Sequence, residues 1–190
     1  MKADAAAHKS IATDNLFPLA EFYARTSLAL PAITRIRPDA IPEPYRSLLV
    51  HSKDMTPTLE RYHVSDLYIH ALSTERRGTD YFREVVLHRA SDDAPVEFGA
   101  ICIHLDRFSP EARWMVLQEK VPLGRILSDQ ATPHVTRALD YFQVEPDLII
   151  CEALKLPAPV SLFGRRALLI DAQNQPLSQA VEILPLLVAH

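Results

Sequence analysis

An arginine lies among apolar residues in the stretch from Tyr81 to Leu87. Side chains alternate between the two faces of a β-strand, so Arg83 shares a face with Tyr81, Val85 and Leu87. We expect that face to point inward, and a buried guanidinium is strongly unfavourable unless it is paired. Arg83 should therefore meet a carboxylate, either from an internal Glu in a structural ion pair or from a bound ligand.

A glutamate near the C-terminus lies in a second strand-like run, from Ser178 to Leu184. Alternation places Glu182 on the same face as Ala180 and Leu184. If that face is internal, Glu182 is either the partner of Arg83 or a base at the other end of an apolar pocket. If the opposite face forms the core, Glu182 is solvated, and alternation alone leaves both possibilities open.

The rest of the composition excludes several kinds of site. Phosphate-binding loops need several glycines close together, whereas the four glycines of this chain are widely spaced. The two cysteines form no Cys-x-x-Cys motif and the eight histidines show no His-Glu-x-x-His spacing, so we expect no metal site. We interpret Cys102 as a core residue and His104 as a hydrogen-bonded strand residue.

Charge and hydropathy narrow the class of partner. The formal net charge is −4, which disfavours nucleic-acid binding because that needs a basic face. No apolar run approaches the roughly 18–20 residues that span a bilayer, and residues 1–9 lack the apolar segment of a secretory signal. We expect a soluble, cytoplasmic, monomeric domain with no membrane or nucleic-acid partner.

The helices expected from the sequence lie mostly in its first third. A mobile tail of residues 1–13 should precede a single domain of residues 14–190. Capping residues and apolar spacing predict helices at Asn15–Leu28 (capped by Asp14), Tyr45–Ser52, Met55–His63 (capped by Asp54) and Pro110–Gln118 (capped by Ser109). We expect Trp114, Met115 and Leu117 to form the buried side of the last helix. The four prolines from Pro31 to Pro44 predict an extended connection.

Strand-like runs dominate the remainder. They are Asp66–Ser73, Asp80–Arg89, Pro95–Leu105, His134–Val144, Leu162–Ile170 and Leu177–Leu184. Several are joined by short turns, which favour antiparallel hairpins over parallel crossovers. The sequence therefore predicts an α+β fold with a single antiparallel sheet of about six strands and helices packed on it.

Five short motifs, in order from Leu48 to Pro185, resemble those of the chorismate lyase family, and more closely its divergent branch than its ubiquinone-pathway members. They are Asp54-Met55-Thr56 followed by Leu59-Glu60, Arg83-Glu84-Val85-Val86-Leu87, Pro122-Leu123-Gly124 followed by Leu127, Phe163-Gly164-Arg165-Arg166, and Gln175-Pro176-Leu177 followed by Glu182-Ile183-Leu184-Pro185. The resemblance implies a small buried cavity under two helical flaps. It also implies a reaction that needs no cofactor, the conversion of chorismate to 4-hydroxybenzoate and pyruvate.

The family's ligand-contacting residues fall on Met55, Arg83, Leu123 and Glu182, with Gly124 beside Leu123. By this resemblance Arg83 holds the ring carboxylate, Glu182 contacts the ring hydroxyl, and both act in catalysis. Backbone N–H groups near Met55 and Leu123 bind the second carboxylate.

The family glutamate can be aligned in two ways. In the ubiquinone-pathway members it falls on Val181, whereas one extra residue in the divergent branch places it on Glu182. We align it with Glu182, because residues 95–105 also resemble that branch.

Three further arginines are weaker candidates for the site: Arg125, Arg165 and Arg166. Exposed surface charge explains Arg165 or Arg166 at least as well, because adjacent strand residues face opposite ways.

A non-catalytic interpretation also fits. The same fold serves as the effector-binding module of a family of bacterial transcription regulators, in which a small acid binds without being converted. The first 45 residues predict one helix and a proline-rich stretch, with no room for a helix-turn-helix. The expected partner is in either case a small molecule, chorismate or a related aromatic carboxylate.

Overall fold

A seven-stranded antiparallel sheet organises the chain in the computed structural model, which describes residues 16–187. Its strands are β1 (Ala32–Ile36), β2 (Leu67–Arg77), β3 (Asp80–Arg89), β4 (Pro95–His104), β5 (His134–Glu145), β6 (Leu162–Asp171) and β7 (Pro176–Leu184). They lie in the order β1-β5-β6-β7-β4-β3-β2. Every neighbouring pair is antiparallel, which confirms the predicted α+β class with one strand more than expected.

Six α-helices cover the sheet in the described part of the chain. They are α1 (Leu19–Thr26), α2 (Tyr45–Leu49), α3 (Met55–His63), α4 (Pro110–Leu117), α5 (Leu123–Asp129) and α6 (Leu148–Ala153). Among residues 16–187, no helix has the length and apolar character needed to span a membrane.

The two faces of the sheet are packed differently. On the back face, Phe82, Phe98 and Phe142 form one cluster with residues of α1 and α6. On the front face there are two clusters: Leu87 and its neighbours pack against α2 and α3, and Ile103 and its neighbours pack against α4 and α5. Burial of both faces explains why the central strands are apolar along their length rather than alternating.

The structure corrects several of the predicted elements. The proline-rich segment contains the edge strand β1. Pro31 precedes this strand, so it removes no hydrogen bond from the ladder between β1 and β5. Helix α6 was not predicted, and Asp147 caps it by accepting a hydrogen bond from the Ile150 N–H. Of the residues predicted to form the buried side of α4, Trp114 is 63% exposed, while Met115 and Leu117 are partly buried. The fully buried residues of α4 are Ala112 and Val116.

Other predicted boundaries are confirmed. The helix Met55–His63 and the strand Asp80–Arg89 have the predicted ends, and Ser109 caps α4 through the Ala112 N–H. The motif Pro122-Leu123-Gly124 marks the start of a further helix, because Pro122 is the N-cap residue of α5. The predicted mobile tail and the Asp14 cap lie outside the described residues.

Candidate functional site

A cavity of about 70 Å³ lies on the front face, at the seam between the two hydrophobic clusters. A space of this size accepts a few waters or part of a small organic molecule, since one water needs roughly 10–15 Å³. Most of its walls are apolar, formed by Met55, Ile69, Val85, Leu87, Ile101, Leu123, Leu169 and Ala180. The polar lining residues are fewer: one on each of β3 to β7 (Arg83, Glu97, Thr136, Arg165 and Glu182) and two at the start of α3 (Asp54 and Thr56).

Arg83 reaches the cavity from the middle of β3 and is 2% exposed. Its Nε and Nη1 atoms have no hydrogen-bond partner in the described part of the chain, and no salt bridge there includes it. Burial lowers the pKa of the guanidinium to about 10, with smaller opposing effects of Tyr81 and Glu119. Arg83 therefore stays cationic at neutral pH, with no carboxylate at salt-bridge distance in residues 16–187.

Arg165 is also buried, but it is fully paired. The residue is 0% exposed, and its Nε donates to Glu182 Oε2 at 2.5 Å across the β6–β7 ladder. Its Nη1 donates to the carbonyl oxygens of Leu49 and His51, and its Nη2 to that of Lys53, each at 3.2 Å. This arginine ties the segment between α2 and α3 to the sheet.

Glu97 adds a carboxyl group to the cavity that sequence reasoning did not single out. It is 5% exposed, and its Oε2 has no hydrogen-bond partner among residues 16–187. Burial and the nearby Glu182 carboxylate raise its pKa well above the usual value, although Arg165 opposes this. The alternation of Glu97, Gly99 and Ile101 on one face of β4 is the signal that could have identified it.

Two helix N-termini form the roof of the cavity. Met55 and Thr56 begin α3, Leu123 and Gly124 begin α5, and all four line the cavity. The helices approach closely, because a Cβ on Gly124 would lie 3.1 Å from Thr56 Oγ1. Neither helix has a side-chain cap, so its first N–H groups are available to an anion.

Asp54 occupies the N-cap position of α3 but points elsewhere. Its carboxylate accepts hydrogen bonds from His134 Nε2 at 2.8 Å and from Thr136 Oγ1 at 2.5 Å, both on β5. Burial alone would raise the pKa of Asp54, but the hydrogen bonds from His134 and Thr136 lower it. The predicted cap is thus replaced by a link between α3 and the sheet.

The residues that the sequence singled out are brought together at this cavity. Met55, Arg83, Leu123, Gly124 and Glu182 all line it. The side chain of Val181 packs in the back-face cluster, whereas the Glu182 carboxylate faces the front.

The three weaker arginine candidates separate. Arg165 lines the cavity, while the adjacent Arg166 does not and pairs with Asp140 at 2.6 Å. Arg125 is 46% exposed beside Glu60, Asp66 and Asp129.

A group of potential metal ligands lies on the back face, away from the cavity. The donor atoms of Asp80, Cys102 and His104 are within 4.8 Å of one another, and no other such group of three occurs in residues 16–187. His104 Nδ1 lies 2.8 Å from Asp80 Oδ1, and burial raises the pKa of the Cys102 thiol to about 12. The expectations for Cys102 as a core residue and His104 as a hydrogen-bonded strand residue are confirmed.

Comparisons with known proteins show the fold. No protein-family model matches the sequence, and a search of curated proteins gives no match. Among solved structures, gene product SA0254 of Staphylococcus aureus is similar with a TM-score of 0.53 and 7% identity, over 72% of this chain and 90% of that one. The effector domain of PhnF from Mycobacterium smegmatis has the same TM-score and 14% identity, over 73% and 95% of the two chains.

A second structure of PhnF from Mycobacterium smegmatis is similar with a TM-score of 0.53 and 13% identity, over 74% of this chain and 70% of that one. At these identities the similarity shows the fold alone. The chain has an α+β fold with one antiparallel sheet, and it shares this fold with the effector domain of PhnF.

Proposed function

We propose that this protein binds a small aromatic carboxylate in the front-face cavity, with Arg83 as the cation that holds the carboxylate. The observation that carries the proposal is the buried guanidinium with unpaired Nε and Nη1 atoms. A desolvated charge without a partner is costly, and an anionic ligand would remove that cost. Guanidinium groups bind carboxylates through two parallel hydrogen bonds, which also fixes the orientation of the ligand.

The walls of the cavity support an aromatic body for the ligand. Val85 and Ile101 flank the Arg83 position on β3 and β4, and Leu123 closes the cavity from above. Small-molecule sites are typically apolar with a few polar groups that fix orientation. The uncapped N-termini of α3 and α5 offer N–H groups and a favourable dipole to a second anionic group.

Calorimetric titration with benzoate and 4-hydroxybenzoate tests this proposal. Replacing Arg83→Ala should cost about 2–5 kcal/mol of binding free energy, the range for losing one partner of a desolvated charge pair. Arg125→Ala is the matched control, because Arg125 is half-exposed outside the cavity and should leave the affinity unchanged. Equal affinity of the Arg83→Ala variant and the unaltered protein would show that Arg83 does not hold the ligand.

A second candidate function is the lyase reaction that the sequence motifs imply. It is favoured by the presence of Glu182 and Arg83 at one cavity. Chorismate would lose its C3–O bond and the C4 hydrogen, giving aromatic 4-hydroxybenzoate and, after protonation of the leaving enolpyruvate, pyruvate. Arg83 would hold the ring carboxylate, Glu182 would contact the C4 hydroxyl and assist removal of the C4 proton, and the apolar walls would exclude water.

Incubation with chorismate separates the two functions. A lyase releases pyruvate, which lactate dehydrogenase reports through NADH oxidation, and Glu182→Gln should slow that release about 10²–10⁴-fold as expected for loss of a general base. Binding of 4-hydroxybenzoate without any pyruvate release would assign the non-catalytic function.

A further inference from the structure

The cavity has a polar group at each end along the sheet. In the register of β3 and β4, Arg83 lies opposite Ile101, and Leu87 lies opposite Glu97. The Arg83 and Glu97 positions are therefore four residues apart along the strands, about 13 Å at the usual rise per residue. A ligand whose carboxylate meets Arg83 directs its opposite end toward Glu97.

Glu182 lies between the two ends. It pairs with Gly99 on β4, which places it two residues from the Arg83 row, about 7 Å along the sheet. It is also a diagonal neighbour of Glu97, and its charge is held by Arg165. Two carboxyl groups close together in a buried site do not both ionise readily.

Glu97 has no cation of its own. No salt bridge in residues 16–187 includes Glu97. The positive charge of Arg165 acts on it, but the Arg165 guanidinium already donates to Glu182 and to three backbone carbonyls. Its Oε2 has no hydrogen-bond partner, as expected for a protonated carboxyl group whose O–H is free to donate to a bound ligand. Burial raises its pKa, in agreement with this charge distribution.

Gly99 leaves the space that such a partner needs. A Cβ at this position would lie 3.1 Å from Glu97 Oε1 and 3.5 Å from Val85 Cγ2. Any larger residue would therefore fill the part of the cavity between Glu97 and Val85. The absence of a side chain keeps Glu97 accessible from the Arg83 end.

We propose that Glu97 is a specificity-determining carboxylic acid that donates a hydrogen bond to an uncharged oxygen at the end of the ligand opposite its carboxylate. A hydroxyl or carbonyl oxygen satisfies Glu97, whereas a second carboxylate at that end meets Glu182 and Glu97 with no free cation beside them. This inference rests on the proposed function and narrows it to carboxylates with a neutral oxygen at the far end. A benzoate with a para hydroxyl belongs to this class.

Titration with benzoate and two para-substituted benzoates tests the proposal. The protein should bind 4-hydroxybenzoate about tenfold more tightly than benzoate, as expected for one net hydrogen bond. Terephthalate, which carries a carboxylate at both ends, should bind more weakly than benzoate. Equal or tighter binding of terephthalate than of 4-hydroxybenzoate would overturn the proposal.

Variants at position 97 assign the preference to this residue. Glu97→Leu should reduce the preference for 4-hydroxybenzoate over benzoate to less than about twofold, because no donor remains. Glu97→Gln retains an uncharged donor and should keep most of the preference. Glu84→Gln is the matched control, a buried glutamate on the back face of the same sheet, and should leave the selectivity unchanged. A Glu97→Leu variant that keeps the tenfold preference would overturn the proposal.

The protonation of Glu97 can be measured without any ligand. The infrared difference between the unaltered protein and Glu97→Gln at pH 7 should contain the C=O stretch of a protonated carboxyl group. The asymmetric stretch of a carboxylate in its place would overturn the inference. Failure of all three benzoates to bind would instead overturn the proposed function, so the two failures are distinguishable.

Discussion

Two arginines of the same sheet illustrate how differently a buried charge can act. Arg165 donates to one carboxylate and three backbone carbonyls, whereas Nε and Nη1 of Arg83 have no partner in the described chain. Arg165 therefore contributes to stability, and Arg83 reduces stability in the absence of a ligand. Replacing each arginine by methionine should therefore change the free energy of unfolding in opposite directions.

Urea denaturation of the ligand-free protein checks these expectations. Arg165→Met should lower the free energy of unfolding by about 3–5 kcal/mol, because it leaves the Glu182 carboxylate buried without its partner. Arg83→Met should raise the free energy of unfolding, because it removes an unpaired charge and keeps an unbranched apolar side chain. A loss of stability in Arg83→Met comparable to that in Arg165→Met would contradict this account of Arg83.

His134 provides a pH dependence at the residue scale. Its Nε2 faces the Asp54 carboxylate and its Nδ1 lies 2.8 Å from the Thr132 carbonyl oxygen, so both nitrogens meet acceptors and the protonated ring is favoured. The hydrogen bond to Asp54 raises the pKa of His134, although burial opposes it. Its stabilising contribution is therefore complete below the ordinary value of 6.5 and is lost as pH rises through the elevated value.

The difference in unfolding free energy between the unaltered protein and His134→Gln should be largest near pH 5.5 and should shrink above pH 7. Thermal denaturation across that range measures it, and the comparison cancels titrations shared by both proteins. A difference that is constant with pH would show that folding does not shift the pKa of His134.

At the scale of elements, Gly164 determines how closely β6 approaches its neighbours. A Cβ there would lie 2.5 Å from the Glu182 carbonyl oxygen and 2.5 Å from Phe142 Cε2. A backbone carbonyl cannot move aside as a flexible side chain can. The adjacent Arg165 depends on this approach, because its ion pair spans the same two strands.

Gly164→Ala should therefore destabilise the protein by about 3 kcal/mol or more through overpacking. Gly78→Asn is the matched control, because Gly78 has a φ of +62° that asparagine tolerates and nothing within 4 Å of its added Cβ. Chemical denaturation should show a change of only a few tenths of a kcal/mol for the control. Equal stability of the two variants would mean that β6 can shift to admit a methyl group.

The sequence predicted elements where local signals agree with the tertiary structure. The cap at Ser109 and the apolar spacing of Met55–His63 are local, so their boundaries were found. β1 was missed because its pairing with β5 is made more than a hundred residues away, and prolines around it favour a connection. The Asp54 cap was wrong because His134 and Thr136 compete for its carboxylate, and only the folded chain brings them to it.

At the scale of the whole molecule, the sheet separates two environments. The front face holds the cavity, and the back face holds a second buried acid, Glu84, beside His70 and His88. Burial, together with the neighbouring Asp147, raises the pKa of Glu84 to about 7, while Arg25 opposes this. Ionisation of Glu84 is therefore less favourable in the folded protein than in the unfolded chain.

Glu84→Gln should increase stability at pH 8 by about 1–3 kcal/mol and have little effect at pH 4. The sign follows because a raised carboxyl pKa gives stability that is lost as pH rises from the ordinary value of 4.5 through about 7. Unfolding curves of the two proteins at both pH values measure the effect. A stability gain of equal size at both pH values would exclude titration of Glu84 as its cause.

The site was only partly predictable because its chemistry depends on which charges are paired. Alternation along β3 predicted that Arg83 faces inward, and Glu182, whose direction alternation left open, lines the same cavity. The alternation of side chains could not show that Arg165 pairs with Glu182 and that Arg83 is left without a partner. Alternation places Glu97 on the same face of β4 as Ile101, but it could not show that a cavity forms there, where two hydrophobic clusters meet.

That seam has a consequence for motion. The α2–α3 and α4–α5 halves of the front layer belong to separate apolar clusters, so without a ligand their amide hydrogens should exchange as two units with different opening free energies. A molecule bound between the two halves contacts both of them, so local unfolding of either half would release it. Saturation should therefore slow exchange in α3 and α5 together and merge their opening free energies, which makes the ligand a mechanical bridge within the fold.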